Sequence, residues 1–392
     1  MEKAVIVAAR RTPIGRFQGG LASLSASKLG AEVVKDLLAQ TKIDPNEVDE
    51  VIMGNVLQAG LGQNPARQAA IWGGIPTDKA AFTVNKVCGS GMKSIMLAAQ
   101  AIMLGDANVI IAGGMENMAA APYLLFKARS GYRLGHGQVV DAMVHDGLWD
   151  VYNDFHMGNT GELVAEKYKV TREAQDEYAY NSHQKALAAM ERGDFKDEII
   201  PVSVPQRKKD PIVVDTDEGP RKETTLEVLA KLRPAFKKDG TVTPGNASSI
   251  NDGAAGVIVM SESKAKELGL PIMATIDAYA AGGMDPEWVM MAPLNAVGNL
   301  LKKTGESITD FELVELNEAF SAQAVAVVKE LEVPEERVNV NGGGVALGHP
   351  IGCTGARIVV TLIHAMRKRG AKKGLASLCL GGGNAVAMTV SM

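Results

Sequence analysis

Aromatic residues and cysteines are both scarce in this chain. Phe, Trp and Tyr make up only 5% of the 392 residues, and there are three cysteines. A small, odd number of cysteines argues against a disulfide-stabilised scaffold and favours a reducing compartment, so we expect a cytoplasmic protein. Few aromatic residues beside 42 glycines indicate close backbone packing through small residues, which fits an α/β protein.

The chain also lacks a strong charge excess and long apolar segments. Its formal net charge is −4 and its pI is about 6.0, which argues against a nucleic-acid binder. No apolar run approaches the ~20 residues of a membrane span. The first predicted strand begins at Ala4, which leaves no room for a signal peptide. We therefore expect a soluble protein of two or three domains.

Strands and helices alternate in the first third of the chain. Strand patterns cover residues 4–10, 48–57, 81–87 and 108–113, and helical patterns cover residues 24–41, 64–71 and 89–104. Residues 337–383 then repeat the order found in residues 81–117. In both segments a strand meets a glycine turn, a helix opens on small residues, and a buried strand runs into Gly-Gly. Two related halves that face one cleft are the simplest interpretation.

The middle of the chain, residues 119–250, breaks this alternation and is richer in charge. Within residues 201–240, nine basic residues stand against seven acids, a local net charge of +2 in an acidic protein. A solvated loop and a site for an anionic ligand both fit this pattern. We expect one half at 1–118, completed by about 251–270, an inserted loop domain at 119–250, and a second half at 271–392.

The three cysteines lie beside glycine-rich turns, and one histidine shares this setting. Cys88 follows a strand and precedes a helix, whose N-terminus favours thiolate over thiol. Cys88 is therefore a candidate nucleophile, although an inert buried cysteine fits the position too. His349 precedes Pro350, which disfavours helix there, and is a candidate base. Thiols, an imidazole and free backbone N–H groups suggest acyl transfer through a thiolate.

Several motifs, in order along the whole chain, resemble those of thiolases, in particular the acetoacetyl-CoA type. They are VCGSGMKSI, NASSINDGAA, NEAF, GGGVALGHPIGCTGAR and CLGGGNA. The resemblance implies an α/β fold of two similar βαβαβαββ halves that form a layered αβαβα core with an inserted loop domain. It also implies a homotetramer, with contacts partly from residues 121–137. The implied reaction is the reversible Claisen condensation of two acetyl-CoA to acetoacetyl-CoA and CoA.

The resemblance also implies a role for each catalytic position. Cys88 carries the acyl group, and His349 activates its thiol. Asn317 and His349 hold a water in a first oxyanion hole, where an enolate develops. Cys379 moves the proton at Cα of the second acetyl-CoA, which suits a thiol. The N–H groups of Gly381 and Cys88 form a second hole for the thioester oxygen.

By the same resemblance, the inserted domain binds coenzyme A, which is a substrate rather than a cofactor. Arg221 is expected near the adenine and phosphates, and Ser248 near the pantetheine. The tunnel is expected to be lined by Leu148, His156, Met157, Phe236, Ala319 and Phe320. An apolar slot with cations at its mouth is physically reasonable for this ligand. No metal site is expected, because the C-x₂-C spacings of zinc sites are missing.

Two segments depart from the family pattern. Cys353 stands where a small Ala or Ser is expected. Residues 285–296 replace a glycine-rich stretch beside the acyl pocket, and their bulky side chains at 289–291 either restrict the pocket to two-carbon units or, being flexible, admit other chains. Three alternatives stay open: a thiolase of longer 3-oxoacyl-CoA, a non-catalytic CoA- or lipid-binding relative, and redox regulation through a Cys88–Cys379 disulfide.

Overall fold

The computed structural model describes residues 2–392. The strands β1 to β16 span Ala4–Arg11, Gly15–Arg16, Glu50–Gly54, Ala80–Val84, Val109–Asn117, Tyr123–Leu124, Val140–Asp141, Trp149–Asp150, Phe155–His156, Val202–Gln206, Lys209–Val214, Asn251–Ser261, Ala274–Gly283, Leu313–Leu316, Lys373–Leu380 and Asn384–Ser391. The α-helices α1 to α11 span Ala26–Thr41, Pro65–Trp72, Ser90–Leu104, Met157–Tyr168, Arg172–Arg192, Leu226–Ala230, Glu262–Glu267, Ala292–Thr304, Ser321–Glu330, Gly344–Leu347 and Ile351–Arg369. Shorter helical turns cover Pro45–Glu47, Met143–Leu148, Pro286–Met291, Ile308–Asp310 and Glu335–Arg337.

The ends of the predicted helices follow from their caps. Ser25 accepts a hydrogen bond from the Lys28 N–H, so α1 begins at Ala26 rather than at the predicted residue 24. Asn64 caps α2 in the same way, and Pro65 occupies the first helical position, where its missing N–H costs nothing. The strand predicted at 48–57 is shorter, because at Asn55 the chain leaves the sheet toward Glu116.

Two sheets of the same design form the two halves. In the first half the strand order is β4-β3-β5-β12-β1, and in the second it is β14-β15-β16-β13. In each sheet the strands at the start of this order pair in parallel, and the strands that follow pair antiparallel. β1 and β13 join the halves through only two residue pairs. The predicted pair of similar α/β halves is therefore confirmed.

The second half lacks the counterpart of β4. The repeat predicts a strand near residue 338, but only a single bridge joins Val338 to Val314. The side chain of Asn339 explains the difference. It accepts from the Leu316 N–H at 2.9 Å and donates to the Leu316 carbonyl at 2.8 Å, so an amide side chain replaces the backbone pairing that would extend the sheet.

Helices α3 and α11 lie side by side between the two sheets. α1 packs on the outer face of the first sheet, and α8 packs on the outer face of the second, which gives the αβαβα layering. α11 is buried from Ile351 to Met366. The two central helices meet at glycines: a Cβ on Gly91 would lie 2.7 Å from the Ala356 nitrogen, and one on Gly355 would lie 2.5 Å from the Met92 nitrogen. Only glycine permits this approach.

One central segment is apolar enough to pass a length-and-composition test for a membrane span. Residues 87–104 have a mean hydropathy of 1.4 over 18 residues, and 56% of them are buried. The expectation that no apolar run approaches spanning length is therefore wrong for this segment. Its helix, α3, packs against α11, β5 and β3 in the interior, and a core helix of this kind passes the same test.

The inserted region follows β5 and ends at β12. It holds three two-stranded sheets and the helices α4 to α6, and it packs over the second half through α4 on α9 and through α5 on α9 and α10. A buried charge cluster joins it to the first strand: Arg11 lies 2.6 Å from Glu198 and 2.7 Å from Asp217. Removing one partner would leave an unpaired buried charge. The domain boundaries at 118, 250 and 270 stay predictions.

Candidate active site

Cys88 lies in a tight turn between β4 and α3. The side chain of Ser90 closes this turn: its hydroxyl accepts from the Lys86 N–H at 2.8 Å and donates to the Val87 carbonyl at 2.6 Å. Val87 has a φ of 47°, which is costly for a β-branched residue. The turn therefore holds a strained backbone immediately before the sulfur, and this arrangement presents Cys88 to the cavity described below.

The sequence predicts that the helix N-terminus favours a thiolate at Cys88, but the electrostatic surroundings in the structure favour the thiol. Burial raises the pKa of its thiol to about 12, while the N–H groups of Gly381 and of Cys88 itself act in the opposite direction. Desolvation thus outweighs the helix N-terminus, and the resting group is a thiol. These two N–H groups, which lower the pKa of the Cys88 thiol, are the pair predicted to form an oxyanion hole.

His349 lies in the loop between α10 and α11 with its tautomer fixed. The Thr354 hydroxyl donates to the Pro350 carbonyl at 2.9 Å, so it accepts from Nδ1 of His349, 2.7 Å away. Nε2 then carries the lone pair. Burial, together with the positive charge of Arg357, lowers the pKa of His349 to about 3. The imidazole is therefore neutral and able to accept a proton.

Two asparagines complete the surroundings of His349. Asn317 follows β14, is 1% exposed, and places its amide nitrogen 3.4 Å from Nε2 of His349. Its side-chain oxygen has no partner among the described residues. Asn251, at the start of β12, accepts from the His349 N–H at 3.0 Å. The structure thus brings Asn317 and His349 together, as predicted, although neither belongs to the same half as Cys88.

Cys379 lies at the end of β15, beside the turn that contains Gly381. It is 3% exposed, and burial, followed by the neighbouring Cys88, raises the pKa of its thiol. Its sulfur lies 3.9 Å from the thioether sulfur of Met290. A protonated Cys379 is ready to give a proton, and it can remove one only after it has become a thiolate.

A buried carboxylate that the sequence analysis missed joins the catalytic loops. Glu116, at the end of β5, is fully buried and accepts hydrogen bonds from the Asn55 side chain and from the N–H groups of Val56, Leu57 and Gly352. Burial raises the pKa of Glu116 to about 7, against the lowering effect of the three backbone N–H donors. It ties the loop after β3 to the start of α11. Its only sequence signal was an acid at the end of an apolar strand.

The catalytic side chains open into one apolar cavity of about 360 Å³. Eleven of the thirteen predicted site residues line it. They are Cys88, Leu148, His156, Met157, Phe236, Ser248, Ala319, Phe320, His349, Cys379 and Gly381. Other lining residues, such as Met118, Ile250 and Ile351, escaped the sequence analysis because apolar positions of this kind look like ordinary core. Asn317 lies behind His349, and its assignment as a catalytic group stays a prediction.

Aromatic rings line the part of the cavity that the insertion contributes. The His156 and Phe236 rings stack at 4.8 Å, and Phe320 meets Phe236 edge-on at 6.2 Å. A Cβ on Gly158 would lie 2.3 Å from the Phe236 ring, so glycine is required there. This wall is flat, apolar and rigid, which suits the pantetheine arm of coenzyme A.

Arg221 does not line the cavity. It is exposed, and its backbone N–H donates to Nδ1 of the buried His183 at 3.2 Å. A contact with the adenine or the phosphates would therefore lie outside the enclosed space. Most of residues 207–213 and 221–223 are exposed as well, so the mixed charges of this region face solvent. The role of Arg221 stays a prediction.

Cys353 is fully buried in the first turn of α11 and lies outside the cavity lining. Burial raises the pKa of its thiol to about 12, so it behaves as a small apolar side chain. All three cysteines are unpaired. Within residues 2–392, no group of three or more His, Cys, Asp or Glu side chains is placed to hold a metal ion.

Known protein families account for almost the whole chain. The model for the thiolase N-terminal domain matches residues 4–263, and the model for the thiolase C-terminal domain matches residues 270–392. A Pseudomonas aeruginosa protein named acetyl-CoA acetyltransferase is 58% identical over 391 residues, 100% of both chains. A protein of the same name from Cupriavidus necator is 55% identical over 390 residues, 100% of this chain and 99% of its own. The crystal structure of the Bacillus anthracis acetyl-CoA acetyltransferase is 47% identical, covers 100% of this chain and 99% of its own, and has a TM-score of 0.98.

Proposed function

The chain belongs to the thiolase family of acyltransferases, and from this premise we propose that it is an acetyl-CoA C-acetyltransferase. It interconverts two acetyl-CoA with acetoacetyl-CoA and CoA by a ping-pong reaction through acetyl-Cys88. One observation carries the proposal. Two thiols, Cys88 and Cys379, and the neutral imidazole of His349 line the same apolar cavity, together with Gly381, whose N–H lowers the pKa of the Cys88 thiol.

In the thiolysis direction, the first half-reaction cleaves acetoacetyl-CoA. The Cys88 sulfur attacks the C3 carbonyl while its proton passes to Nε2 of His349. The bond between C2 and C3 then breaks, which leaves an acetyl group on Cys88 and the enolate of acetyl-CoA. Asn317 and the protonated His349 stabilise that enolate oxygen, directly or through a water. Cys379 gives its proton to the α-carbon, and acetyl-CoA leaves.

The second half-reaction transfers the acetyl group to CoA. The incoming CoA thiol gives its proton to the Cys379 thiolate and attacks the thioester carbonyl of acetyl-Cys88. The N–H groups of Cys88 and Gly381 stabilise the oxyanion of the tetrahedral intermediate. The Cys88 sulfur leaves and regains its proton from His349, so both thiols and the imidazole return to their resting forms.

The buried setting suits this sequence of proton transfers. The pKa of Cys88 is raised and that of His349 is lowered, so both groups rest uncharged in the apolar cavity. Charge then develops only as the sulfur attacks, where the N–H groups of the turn are already in place. Interactions that strengthen at that moment lower the barrier rather than the energy of the bound substrate.

A non-catalytic CoA-binding relative explains less of the structure. An inert binding site has no need for a strained Val87 beside a thiol, for a histidine with a fixed tautomer, or for backbone N–H groups that lower the pKa of that thiol. The aromatic wall alone would serve binding. The catalytic interpretation therefore has the specific support.

Peptide-mapped mass spectrometry tests the proposal. The protein is mixed with acetoacetyl-CoA without free CoA, quenched in acid and digested. We expect an acetyl group on the peptide that contains Cys88, because the second half-reaction has little CoA to complete it. The Cys353 and Cys379 peptides serve as internal controls and should stay unmodified. An acetyl group on another cysteine, or none on any, would contradict the assignment.

We extend the proposal to a homotetramer. Several large apolar side chains of the inserted domain are exposed in the single chain, among them Tyr123, Phe126 and Leu134, the last at 99%. Exposed apolar groups so close in sequence indicate a contact with another copy. Light scattering should give a mass near four times 41.4 kDa, and a mass of one or two chains would contradict this state.

A reducing, cytoplasmic location and a role in fatty acid metabolism complete the proposal. Both catalytic cysteines act as free thiols, and all three cysteines are unpaired.

No added cofactor is required, since coenzyme A enters and leaves as a substrate. Turnover by purified protein in chelator-treated buffer, supplied only with acetoacetyl-CoA and CoA, tests this point; a requirement for any further factor would contradict it.

A further inference from the structure

His183 is a buried histidine whose hydrogen bond holds the backbone of Arg221. It lies in α5 with no exposed surface, and its Nδ1 accepts from the Arg221 N–H at 3.2 Å. Nδ1 therefore carries the lone pair, and the proton of the ring is on Nε2. Burial, followed by the positive charge of Arg221, lowers the pKa of His183 to about 4, so the ring is neutral and keeps this acceptor.

Histidine is an unfavourable residue for this core position. Its Nε2 has no partner among the described residues, although the ring is fully buried. A buried polar group without a partner destabilises the fold, and an apolar side chain of similar size would not have this effect. Stability therefore does not account for the histidine, and its one hydrogen bond points to a function at Arg221.

Few other hydrogen bonds hold the segment that carries Arg221. The Glu218 N–H donates to the Ile14 carbonyl at 3.0 Å, and the Thr224 N–H turns back to the Arg221 carbonyl at 3.4 Å. Between Glu218 and Thr224, the bond to His183 is the only one that joins the backbone to another element among the described residues. His183 therefore determines where the Arg221 side chain leaves the protein surface.

This segment also runs past the short helix that leads to the catalytic histidine. A Cβ on Gly219 would lie 2.4 Å from the Ala346 carbonyl oxygen and 3.0 Å from that of Leu347, so the segment touches α10 directly. Gly219 is two residues from Arg221, Leu347 is two residues from His349, and two residues span at most about 7 Å. Arg221 thus lies near the wall of the cavity that His349 lines, with its side chain in solvent.

We propose that His183 is a positioning residue for coenzyme A: it fixes the backbone of Arg221 and so holds the guanidinium where it meets the phosphates of the nucleotide. This inference rests on the proposed function. The pantetheine arm enters the apolar cavity, and the charged phosphates stay outside it, where an exposed cation can contact them. His183 touches no reacting atom, so its loss should weaken the binding of CoA thioesters and leave the chemical step unchanged.

The test compares two substrates that differ only in the nucleotide. Acetoacetyl-CoA carries the phosphates, and acetoacetyl-pantetheine has the same thioester and arm without them. With the acceptor thiol saturating, His183→Leu should raise KM for acetoacetyl-CoA by about 3- to 10-fold, between the effect of an exposed ion pair and that of a hydrogen bond to a charged group. Its kcat should stay within about 2-fold of wild type, and KM for acetoacetyl-pantetheine should not change.

Two further variants separate positioning from a general structural effect. His183→Asn restores an acceptor, because its side-chain oxygen replaces Nδ1, and should return KM for acetoacetyl-CoA to within about 2-fold of wild type. Arg221→Ala changes an exposed side chain and should raise the same KM at least as much as His183→Leu does. Adding His183→Leu to Arg221→Ala should then change nothing further, because both variants remove one contact.

His364→Leu is the matched control. This histidine is buried too, and its Nε2 lies 2.9 Å from the Ala9 carbonyl oxygen, but its partner belongs to β1 and not to the segment that carries Arg221. KM for both thioesters should stay at the wild-type value in this variant. A rise as large as that in His183→Leu would assign the effect to a loosened core.

Three other results would overturn the proposal. The first is an unchanged KM for acetoacetyl-CoA in Arg221→Ala, a variant that leaves the core intact. The second is an equal rise in KM for both thioesters in His183→Leu, or no recovery in His183→Asn, either of which would make His183 a structural residue only. The third is a further rise when His183→Leu is added to Arg221→Ala. Failure of the wild-type protein to turn over acetoacetyl-CoA would instead contradict the proposed function.

Discussion

Serine in place of Cys88 is expected to lower kcat for thiolysis of acetoacetyl-CoA by roughly 10⁴-fold or more. Loss of the nucleophile removes the covalent step, in which the catalytic groups act together, and not just one contact with the substrate. A hydroxyl group needs a stronger base than a thiol. In hydrolases with a serine nucleophile, a carboxylate stabilises the imidazolium that forms. Here Nδ1 of His349 bonds to the Thr354 hydroxyl instead of a carboxylate. The imidazolium that forms gains no such stabilisation, and a serine hydroxyl, which is a weaker acid than a thiol, should be activated far less well than Cys88.

Cys353 provides the matched control for this experiment. Its thiol is fully buried but lies outside the cavity, so Cys353→Ser should keep turnover within a few-fold of wild type. Steady-state rates and the acetyl adduct are measured on both variants. Substantial turnover by Cys88→Ser, or an acetyl adduct on another residue, would end the assignment of Cys88 as nucleophile.

The second large effect is expected for Cys379→Ala, which should separate proton transfer at Cα from acetylation of Cys88. Proton transfer at Cα should fall by about 10²–10⁴-fold, the usual contribution of a positioned acid–base group. Acetylation of Cys88 by acetyl-CoA should slow but persist, because CoA can leave as a thiolate and take from water the proton that Cys379 otherwise supplies. The measurement is exchange of the methyl hydrogens of acetyl-CoA for deuterium in D₂O, followed together with the acetyl adduct.

The adduct serves as the internal control for that variant. If acetyl-Cys88 still forms while exchange is lost, the cavity is intact and the missing function belongs to the Cys379 thiol. Undiminished exchange would show that another group moves the Cα proton. Loss of both activities together would point to general damage at the turn and would contradict the division of roles.

Much of the fold was predictable because its signals are local. Apolar strands that run into glycine turns, and helices that open on small residues, mark both halves in the sequence. The one missing strand had no local signal, because the competing hydrogen bonds come from the Asn339 side chain to Leu316, 23 residues away. An asparagine in a strand-like segment gives the same sequence pattern whether its side chain faces solvent or replaces the backbone hydrogen bonds of the sheet.

The site was predictable from resemblance for the residues that react, and far less so for those that hold them. Glu116 receives the Gly352 N–H across 236 residues of sequence, and Asn251 receives the His349 N–H across 98. No periodicity or spacing links such partners, since the topology alone brings them together. Thr354 fixes the His349 tautomer, yet in the sequence it is one hydroxyl residue in a helix.

The glycine contact between α3 and α11 has a consequence for how the protein is made. α3 begins two residues after Cys88 in the first half, and α11 begins two residues after His349 in the second. α11 is covered on all sides only when both halves are present. The C-terminal half synthesised alone would expose an apolar helix and would be prone to aggregate. Catalytic competence therefore requires the two halves to dock, because Cys88 comes from one half and both His349 and Cys379 come from the other. Neither half made alone is expected to carry out the reaction.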